Sequence, residues 1–396
     1  MMQISPETQL FIREHSSDDV RALALQAKKY PDIDMPTAIT QIAGRKVAAE
    51  KIPSWWEIEK IWYPKHLSLE QCSSEITARY KARLLQGDSL ADLTGGFGID
   101  CSFLATGFKS ATYVERQEEL CEIAAHNFPV LNLNHINIRN EDGVAYLQAM
   151  SPVDCLFLDP ARRNEHGGKT VAISDCEPNV AELEELLLQK ANWVMIKLSP
   201  MLDLSLALKE LKQTQEVHIL SVNNECKELL ILLGQTSPTE ISIHCVNLST
   251  KGTQEEQHFV FTREQEQCSE CTYTDSLETY LYEPNASLLK AGAFRSIAAA
   301  YPVRKLHPNS HLYTSDTFIE NFPGRIFRIV NQCSFNKKEV KENLADLKKA
   351  NVTVRNFPAT VAELRKRIHL AEGGDTYLFA STLNNEQKVL IRCEKV

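Results

Sequence analysis

Apolar residues recur at three- and four-residue intervals at Val20, Ala22, Leu23 and Leu25, and again at Ile39, Ile42, Ala43 and Val47. That spacing places them on one face of a helix. Pro31, Pro36, Pro53 and Pro64 punctuate the pattern, so residues 1–86 read as an N-terminal helical domain. Its last helix is expected from Ser68 to Leu85, with Gly87 ending it. Trp55, Trp56, Trp62 and Tyr63 fall within nine residues. Such a cluster either packs a small core or offers a stacking platform for bases, and the first use is the commoner one.

From Ser89 the period changes. Short apolar runs alternate with helical patterns: 90–93 then 99–105, 111–114 then 118–128, 136–139 then 143–150, 155–158 then 180–190, 193–197 then 204–211, and 216–222. Strands and helices in this alternation imply βαβ units and a largely parallel, doubly wound sheet. Three later strands, 228–233, 240–247 and 257–262, have no helix between them and suggest an antiparallel edge. A polar stretch over 263–276 leads into a compact α+β region with helices at 337–350 and 361–369 and strands at 377–381 and 388–392.

At 396 residues the chain exceeds what one hydrophobic core usually organises. Its 43% hydrophobic and 24% charged residues are the mix of a chain that folds throughout. The net charge of -9 is unevenly spread. From Lys290 onward there are 18 Lys and Arg against 10 Asp and Glu, a basic region on an otherwise acidic chain. A basic region attracts polyanions by counterion release, whereas a solvated basic surface with no ligand is the plainer alternative. No apolar run approaches the ~20 residues that span a bilayer. The start lacks the features of a secretory signal, and the 11 scattered cysteines suit reduced core thiols, so a cytoplasmic protein is expected. Cys268 and Cys271 form the one CxxC, without the second ligand pair of a zinc site. No metal is expected.

The informative string runs Asp92-Leu-Thr94-Gly95-Gly96-Phe-Gly98-Ile-Asp100, at the end of the first strand and opening a helix. Its glycines allow a tight turn and a close approach of ligand to backbone at a helix N-terminus. The second strand ends at Glu115, 23 residues beyond Asp92, where an acid is placed to accept from a ribose diol. An acid ahead of the glycines repels a pyrophosphate and suits a cofactor with positive charge, as S-adenosylmethionine has. Asp142, after the third strand, is a candidate for the adenine amino group, with an exposed turn residue as the alternative. The fourth strand runs into Asp159-Pro160-Ala161-Arg162-Arg163, at the sheet edge where open α/β folds bind ligands. Asp159 is the candidate hydrogen-bond acceptor for the group that receives a methyl, and Arg162 could stack on a base or pair with phosphate.

These motifs resemble those of class I S-adenosylmethionine-dependent methyltransferases, with motif I at Asp92 to Gly98, the ribose acid at Glu115 and motif IV at Asp159-Pro160. The resemblance implies a Rossmann-like sheet. The branch that methylates exocyclic amines of bases carries an aromatic after its motif IV prolines, where this chain has Ala161 and Arg162. The pyrimidine C5 branch needs a nucleophilic cysteine where this chain has Lys197-Leu-Ser199-Pro200, which argues against that chemistry. Motif I is also similar to a string of a bacterial rRNA guanine-N2 methyltransferase family. The segment from Gln71 to Lys81 resembles a helix that covers the cofactor in several RNA methyltransferases, which implies Lys81 as a cofactor contact.

The strings Tyr282-Glu-Pro-Asn-Ala286, Phe322-Pro-Gly-Arg325, Arg355-Asn-Phe-Pro358 and Gly373-Gly-Asp375 are similar to those of a class I methyltransferase family with a ferredoxin-like segment and a THUMP-like terminal domain. That resemblance covers nearly the whole chain. It implies a methyltransferase domain over 87–275, a ferredoxin-like segment over 276–325 and an RNA-recognition domain over 326–396. The helix from Val361 to His369, with Arg365, Lys366 and Arg367, would then face phosphates.

The expected protein is thus a methyltransferase that uses S-adenosylmethionine on structured RNA, tRNA or rRNA, at an exocyclic base amine. Asp159, Pro160 and Arg162 would be its catalytic residues, and Asp92, Thr94, Gly95, Gly96, Gly98, Asp100, Glu115, Asp142 and Lys81 its cofactor contacts. Lys197, Ser199 and Arg163 line the same region without an assigned role. A small-molecule methyltransferase and a non-catalytic RNA-binding protein with a retained cofactor fold are the alternatives.

Overall fold

A computed structural model describes residues 4–162, 172–236, 238–250 and 256–396. Arg163 lies outside them. The chain divides into two units, one formed by Met1–Glu216 with Leu229–Thr239, the other by Val217–Glu228 with Glu240–Val396.

The first unit opens with helices α1 (Pro6–Glu14), α2 (Val20–Leu25), α3 (Met35–Lys51), α4 (Pro53–Trp56), α5 (His66–Gln71) and α6 (Glu75–Ala82). Ser5, Asp19 and Asp34 cap the first three through side-chain oxygens that accept backbone N–H groups. Phe11, Leu23, Met35, Ala38 and Ile42 form one small core. A second core joins Ala48, Ile52, Trp55, Tyr63 and Leu69 to Phe97, Ile99 and Leu120. Trp55 is buried edge-on against Phe97 with ring centroids 5.2 Å apart, and Trp62 stacks on His126 at 3.7 Å. Most of the aromatic cluster is therefore packing, while Trp56 stays exposed near Arg45.

The expected helix over 68–85 is broken. Cys72 and Ser74 have extended backbones between α5 and α6, and Ser73 between them donates its hydroxyl to Asp100 at 2.7 Å. A long-range hydrogen bond overrides a local periodicity that contains no Gly or Pro.

Next come β1 (Gly87–Asp92), α7 (Ile99–Leu104), β2 (Phe108–Glu115), α8 (Glu118–Val130), β3 (Ile136–Asn140), α9 (Gly143–Ala149) and β4 (Val153–Leu158). They are followed by the two-residue strands β5 (Ala161–Arg162) and β6 (Cys176–Glu177), α10 (Val180–Lys190), β7 (Ala191–Leu198), α11 (Leu204–Glu210), β8 (Thr214–Val222) and β9 (Glu225–Gly234). The division between units falls within β8 and β9. In the first unit the strand order is β9-β7-β4-β1-β2-β3, parallel except for β9, whose Leu229–Gly234 part runs antiparallel to β7. This is the mostly parallel, doubly wound Rossmann-like sheet that the alternation predicts. The carboxyl ends of β1, β2, β4 and β7 deliver Asp92, Glu115, Asp159 and Lys197 to one edge.

The second unit contains β10 (Ser242–Leu248), β11 (Glu256–Thr262), α12 (Arg263–Cys268), β12 (Tyr280–Pro284), α13 (Ala286–Ala291), α14 (Phe294–Ala300), β13 (Arg304–Lys305) and β14 (Tyr313–Ser315). It ends with β15 (Gly324–Ser334), α15 (Lys337–Leu344), β16 (Asn351–Val354), α16 (Val361–Ile368), β17 (Thr376–Thr382) and β18 (Lys388–Lys395). β11 pairs antiparallel with β10. A seven-stranded sheet follows, in the order β13-β14-β12-β15-β18-β17-β16. Leu281, Leu306, Phe327, Phe379 and Ile391 form a core on it. The helix expected over 337–350 stops at Leu344; Lys349 then bridges Ala371, and Asn351–Val354 beyond it pairs in parallel with β17. All 11 cysteines are free thiols. No helix among the described residues is long and apolar enough to cross a membrane.

Candidate active site

The turn after β1 is shaped by what its glycines avoid. A Cβ on Gly95 would lie 2.3 Å from Cε2 of Tyr113, and Gly98 holds φ at 86° as the residue capping α7. Tyr113 donates its hydroxyl to the Gly96 carbonyl at 2.5 Å. Glu115 holds the turn from the other side: Oε2 accepts the Gly96 N–H at 2.9 Å and Oε1 the Gln117 N–H at 2.8 Å. The turn is thus a rigid backbone cradle that ends on a helix N-terminus.

Asp92 sits under this cradle and is 1% exposed. Its Oδ1 accepts the Thr94 N–H at 3.0 Å, whereas Oδ2 is buried with no hydrogen-bond partner. Burial pushes its pKa up to about 8, with Asp100, Asp159 and Glu115 adding to the rise and the Thr94 N–H opposing it. A buried acid without a countercharge is costly until a cation meets it. The Thr94 hydroxyl ties the turn to the next strand by accepting the Asp159 N–H at 2.6 Å.

Beside the turn lies a charged network. Lys81 of α6 is fully buried, with Nζ 2.9 Å from Asp100 Oδ1 and 2.9 Å from the Ser73 hydroxyl. Lys197 of β7 reaches the Ser73 hydroxyl at 3.0 Å, Asp100 Oδ2 at 3.2 Å and Asp159 Oδ2 at 2.5 Å. Burial alone would raise the pKa of Asp100, but Lys81 and Lys197 outweigh it and hold the carboxyl low. Asp159 is shifted up by burial against the pull of Lys197. Its side chain keeps 37% of its surface open while that of Lys197 keeps 9%, so Asp159 forms the accessible end of the network.

The structure brings Asp92, Thr94, Gly95, Gly96, Gly98, Asp100, Glu115, Asp159 and Lys81 to this edge. Asp142 caps α9, with Oδ1 accepting the Val144 and Ala145 N–H groups. Its neighbour Gly143 lies against the turn, where an added Cβ would meet the Leu93 carbonyl oxygen at 2.2 Å. Pro160 is buried at the end of β4, and Arg162 belongs by its backbone to β5, paired with Cys176. Cys155 is 2% exposed inside β4. Ser199 receives the Met201 N–H, a turn contact. Sequence reasoning missed Ser73, which carried no signal in its helical setting. It also left Lys197 without a role, although a lysine closing an apolar strand was the clue.

The parallel sheet, the acid before the glycine turn, the acid closing β2 and the Asp-Pro at the end of β4 together define a class I S-adenosylmethionine-dependent methyltransferase fold. A ferredoxin-like domain family matches residues 280–323 and a THUMP domain-like family residues 324–395. A crystal structure of a "putative methyltransferase" from Porphyromonas gingivalis W83 is 34% identical, covers 100% of both chains and superposes with a TM-score of 0.87. The chain belongs to that family, the class I methyltransferases with ferredoxin-like and THUMP-like domains. Two others are an rRNA methylase from Streptococcus thermophilus (13% identity, 40% of this chain and 93% of that one, TM-score 0.30) and TrmK of M. capricolum with S-adenosylhomocysteine (13%, 41% and 68%, 0.32). No curated protein matches the sequence.

Proposed function

We propose that the protein transfers a methyl group from S-adenosylmethionine to a nucleotide of structured RNA. The observation that carries the cofactor is Asp92, whose buried, unpartnered Oδ2 lies beneath a glycine cradle. A ligand with positive charge satisfies that oxygen, and the residues present fit it. Gly95, Gly96 and Gly98 would let it approach the backbone, Glu115 would take its ribose hydroxyls, and Asp92 would face its cationic part. Bound there, it would supply an electrophilic methyl on a sulfonium. The RNA rests on the basic stretch from Lys290 onward and on the THUMP domain-like match.

For the acceptor, the expected exocyclic amine needs Asp159 to accept one of its hydrogen bonds. Oδ1 is the oxygen left for this, since Lys197 holds Oδ2. The same ion pair favours a second reading. A lysine beside the accepting carboxylate suits a group that sheds a proton and becomes negative, such as a ribose hydroxyl.

The test is transfer of labelled methyl into total RNA from cells lacking the protein, followed by nucleoside analysis and alkaline hydrolysis. Label in a base is expected for the amine, and label in alkali-resistant dinucleotides for the hydroxyl. Absence of label from every RNA class, with cofactor bound, would overturn the RNA reading.

A further inference from the structure

Three of the C-terminal strings that stand out in the sequence converge on one carboxylate. Glu283 of β12 is 1% exposed. Its Oε2 accepts from Nε of Arg325 at 2.8 Å and also from Nη2 of that residue, and its Oε1 accepts from Nη2 of Arg355 at 2.9 Å. Glu283 and Arg325 are register partners on β12 and β15. The neighbouring Gly324 lets the strands close, because a Cβ there would lie 2.1 Å from the Glu283 carbonyl oxygen. Arg355 is pinned by its own backbone, whose N–H donates to the Ala380 carbonyl at 2.9 Å. Asn356 then turns the chain at φ 51°, with its amide 2.9 Å from Nδ1 of His307.

This arrangement does more than hold strands together. A buried carboxylate bridging two cations is a weak device for stability alone, since apolar side chains of similar volume do as well. It is an effective way of fixing two arginines whose side chains remain 31% and 36% exposed. Two arginines on one glutamate leave a net positive charge. Nε of Arg355 and Nδ1 of His311 are both buried without a hydrogen-bond partner. His311 is neutral at neutral pH, because burial first, then the charges of Lys305 and Arg355, hold its pKa down to about 4. It stacks on Phe294 with centroids 3.6 Å apart, and both rings are only partly covered. Glu266 is the acid near Lys305, and it is occupied in capping α14 through the Phe294, Arg295 and Ser296 N–H groups.

The basic helix α16, by contrast, uses its cations internally. Arg365 lies 3.6 Å from Glu372, and the guanidinium of Arg367 lies 4.0 Å from the Phe335 ring centroid. Of the three cations expected to face phosphates there, two are engaged with the protein itself.

We propose that Arg325 and Arg355, aligned by Glu283, form a fork for a phosphodiester of single-stranded RNA, with the Phe294–His311 stack beside Arg355 receiving a base. Planar guanidiniums bind phosphate oxygens in pairs, and unstacked bases dock on aromatic rings. The inference rests on the reading that the protein acts on RNA, and it names where that RNA is held.

The test measures binding of the full-length protein to a labelled mixed-sequence single-stranded RNA and to its duplex by fluorescence anisotropy, across a salt series. Wild type is expected to prefer the single strand. Arg325→Ala and Arg355→Ala should each weaken it about tenfold, and the double variant should reduce the slope of log K against log salt by about 0.7, the share of one phosphate. Lys366→Ala on α16 should change affinity far less. Arg355→Lys keeps the charge without the fork, so it should keep the slope and lose affinity several-fold. It decides the matter if an alanine variant melts early. Wild-type binding that survives the double variant with an unchanged slope, or an Arg355→Lys protein with wild-type affinity, overturns the fork while leaving an RNA substrate standing. A wild type that binds neither RNA at low salt overturns the RNA reading itself.

Discussion

The unpartnered oxygen of Asp92 makes binding of a cationic cofactor a proton-linked event. With its pKa pushed up to about 8, the carboxyl of the free protein is about nine-tenths protonated at pH 7. A ligand that requires the carboxylate must expel that proton, so close to one proton should leave per molecule bound at pH 7. The association constant should rise about 50-fold between pH 6 and pH 8 and level off above. Calorimetric titration with S-adenosylmethionine in buffers of different ionisation enthalpy measures the proton count, since the apparent heat varies with buffer in proportion to it. Asp92→Asn, an isostere without the charge, should bind weakly, with no buffer dependence and a flat pH profile. Heats that do not depend on the buffer in wild type, or an Asn variant that keeps the pH dependence, would refute the assignment. The raised pKa also has a sign for stability. An acid whose folded pKa lies above its unfolded one holds its proton in the folded state, so the free protein should lose stability as pH rises from about 4 to about 8. The slope is negative throughout that window, and saturating cofactor should remove much of the loss at neutral pH.

Gly95→Ala places a methyl 2.3 Å from the ring of Tyr113, and Tyr113 is fully buried. A loss of about 1–3 kcal/mol is expected, seen as an earlier melt together with loss of cofactor affinity by calorimetry. Lys197→Met leaves Asp159 and one oxygen of Asp100 without their cation. For a buried pair broken on one side this costs about 3–5 kcal/mol, and the open face of Asp159 should bring it toward the lower end. Thermal melting checks that value, and methyl transfer should be lost even at temperatures where the variant is folded. Ser73→Ala removes a hydroxyl that accepts from two lysines and donates to Asp100. Destabilisation of about 1–3 kcal/mol is expected, with Ser73→Thr recovering part of it in the same melt.

The sheet was legible because its strands are apolar runs closed by charged residues: Asp92, Glu115, Asp159 and Lys197 each mark a carboxyl end. The glycine turn was legible for the same local reason, as its spacing and its leading acid are contiguous in the chain. What escaped is the wiring between distant residues. Lys197 and Asp100 are 97 positions apart and Lys197 and Ser73 are 124 apart, so neither the role of the lysine nor the break at Ser73 follows from local propensity. Glu283, Arg325 and Arg355 were visible as family strings, yet only the pairing of β12 with β15 and the turn after β16 reveal that they meet. The helix over 337–350 was overextended because its last residues are drawn off by a distant segment: Lys349 bridges Ala371, and the Ala350 N–H donates to the Ala371 carbonyl.

The second core of the first unit, in which Trp55 covers Phe97 and Lys81 reaches Asp100, bears on modularity. A fragment beginning at Gly87 would keep every residue of the glycine turn and of the Asp-Pro motif. It would nevertheless expose Phe97 to water and leave Asp100 with Lys197 as its one cation among the described residues. The helices ahead of the sheet are therefore a wall of the site rather than an appendage. Exchange of this segment between family members should succeed only when the recipient sheet keeps Asp100, Lys197 and Phe97 to meet Ser73, Lys81 and Trp55.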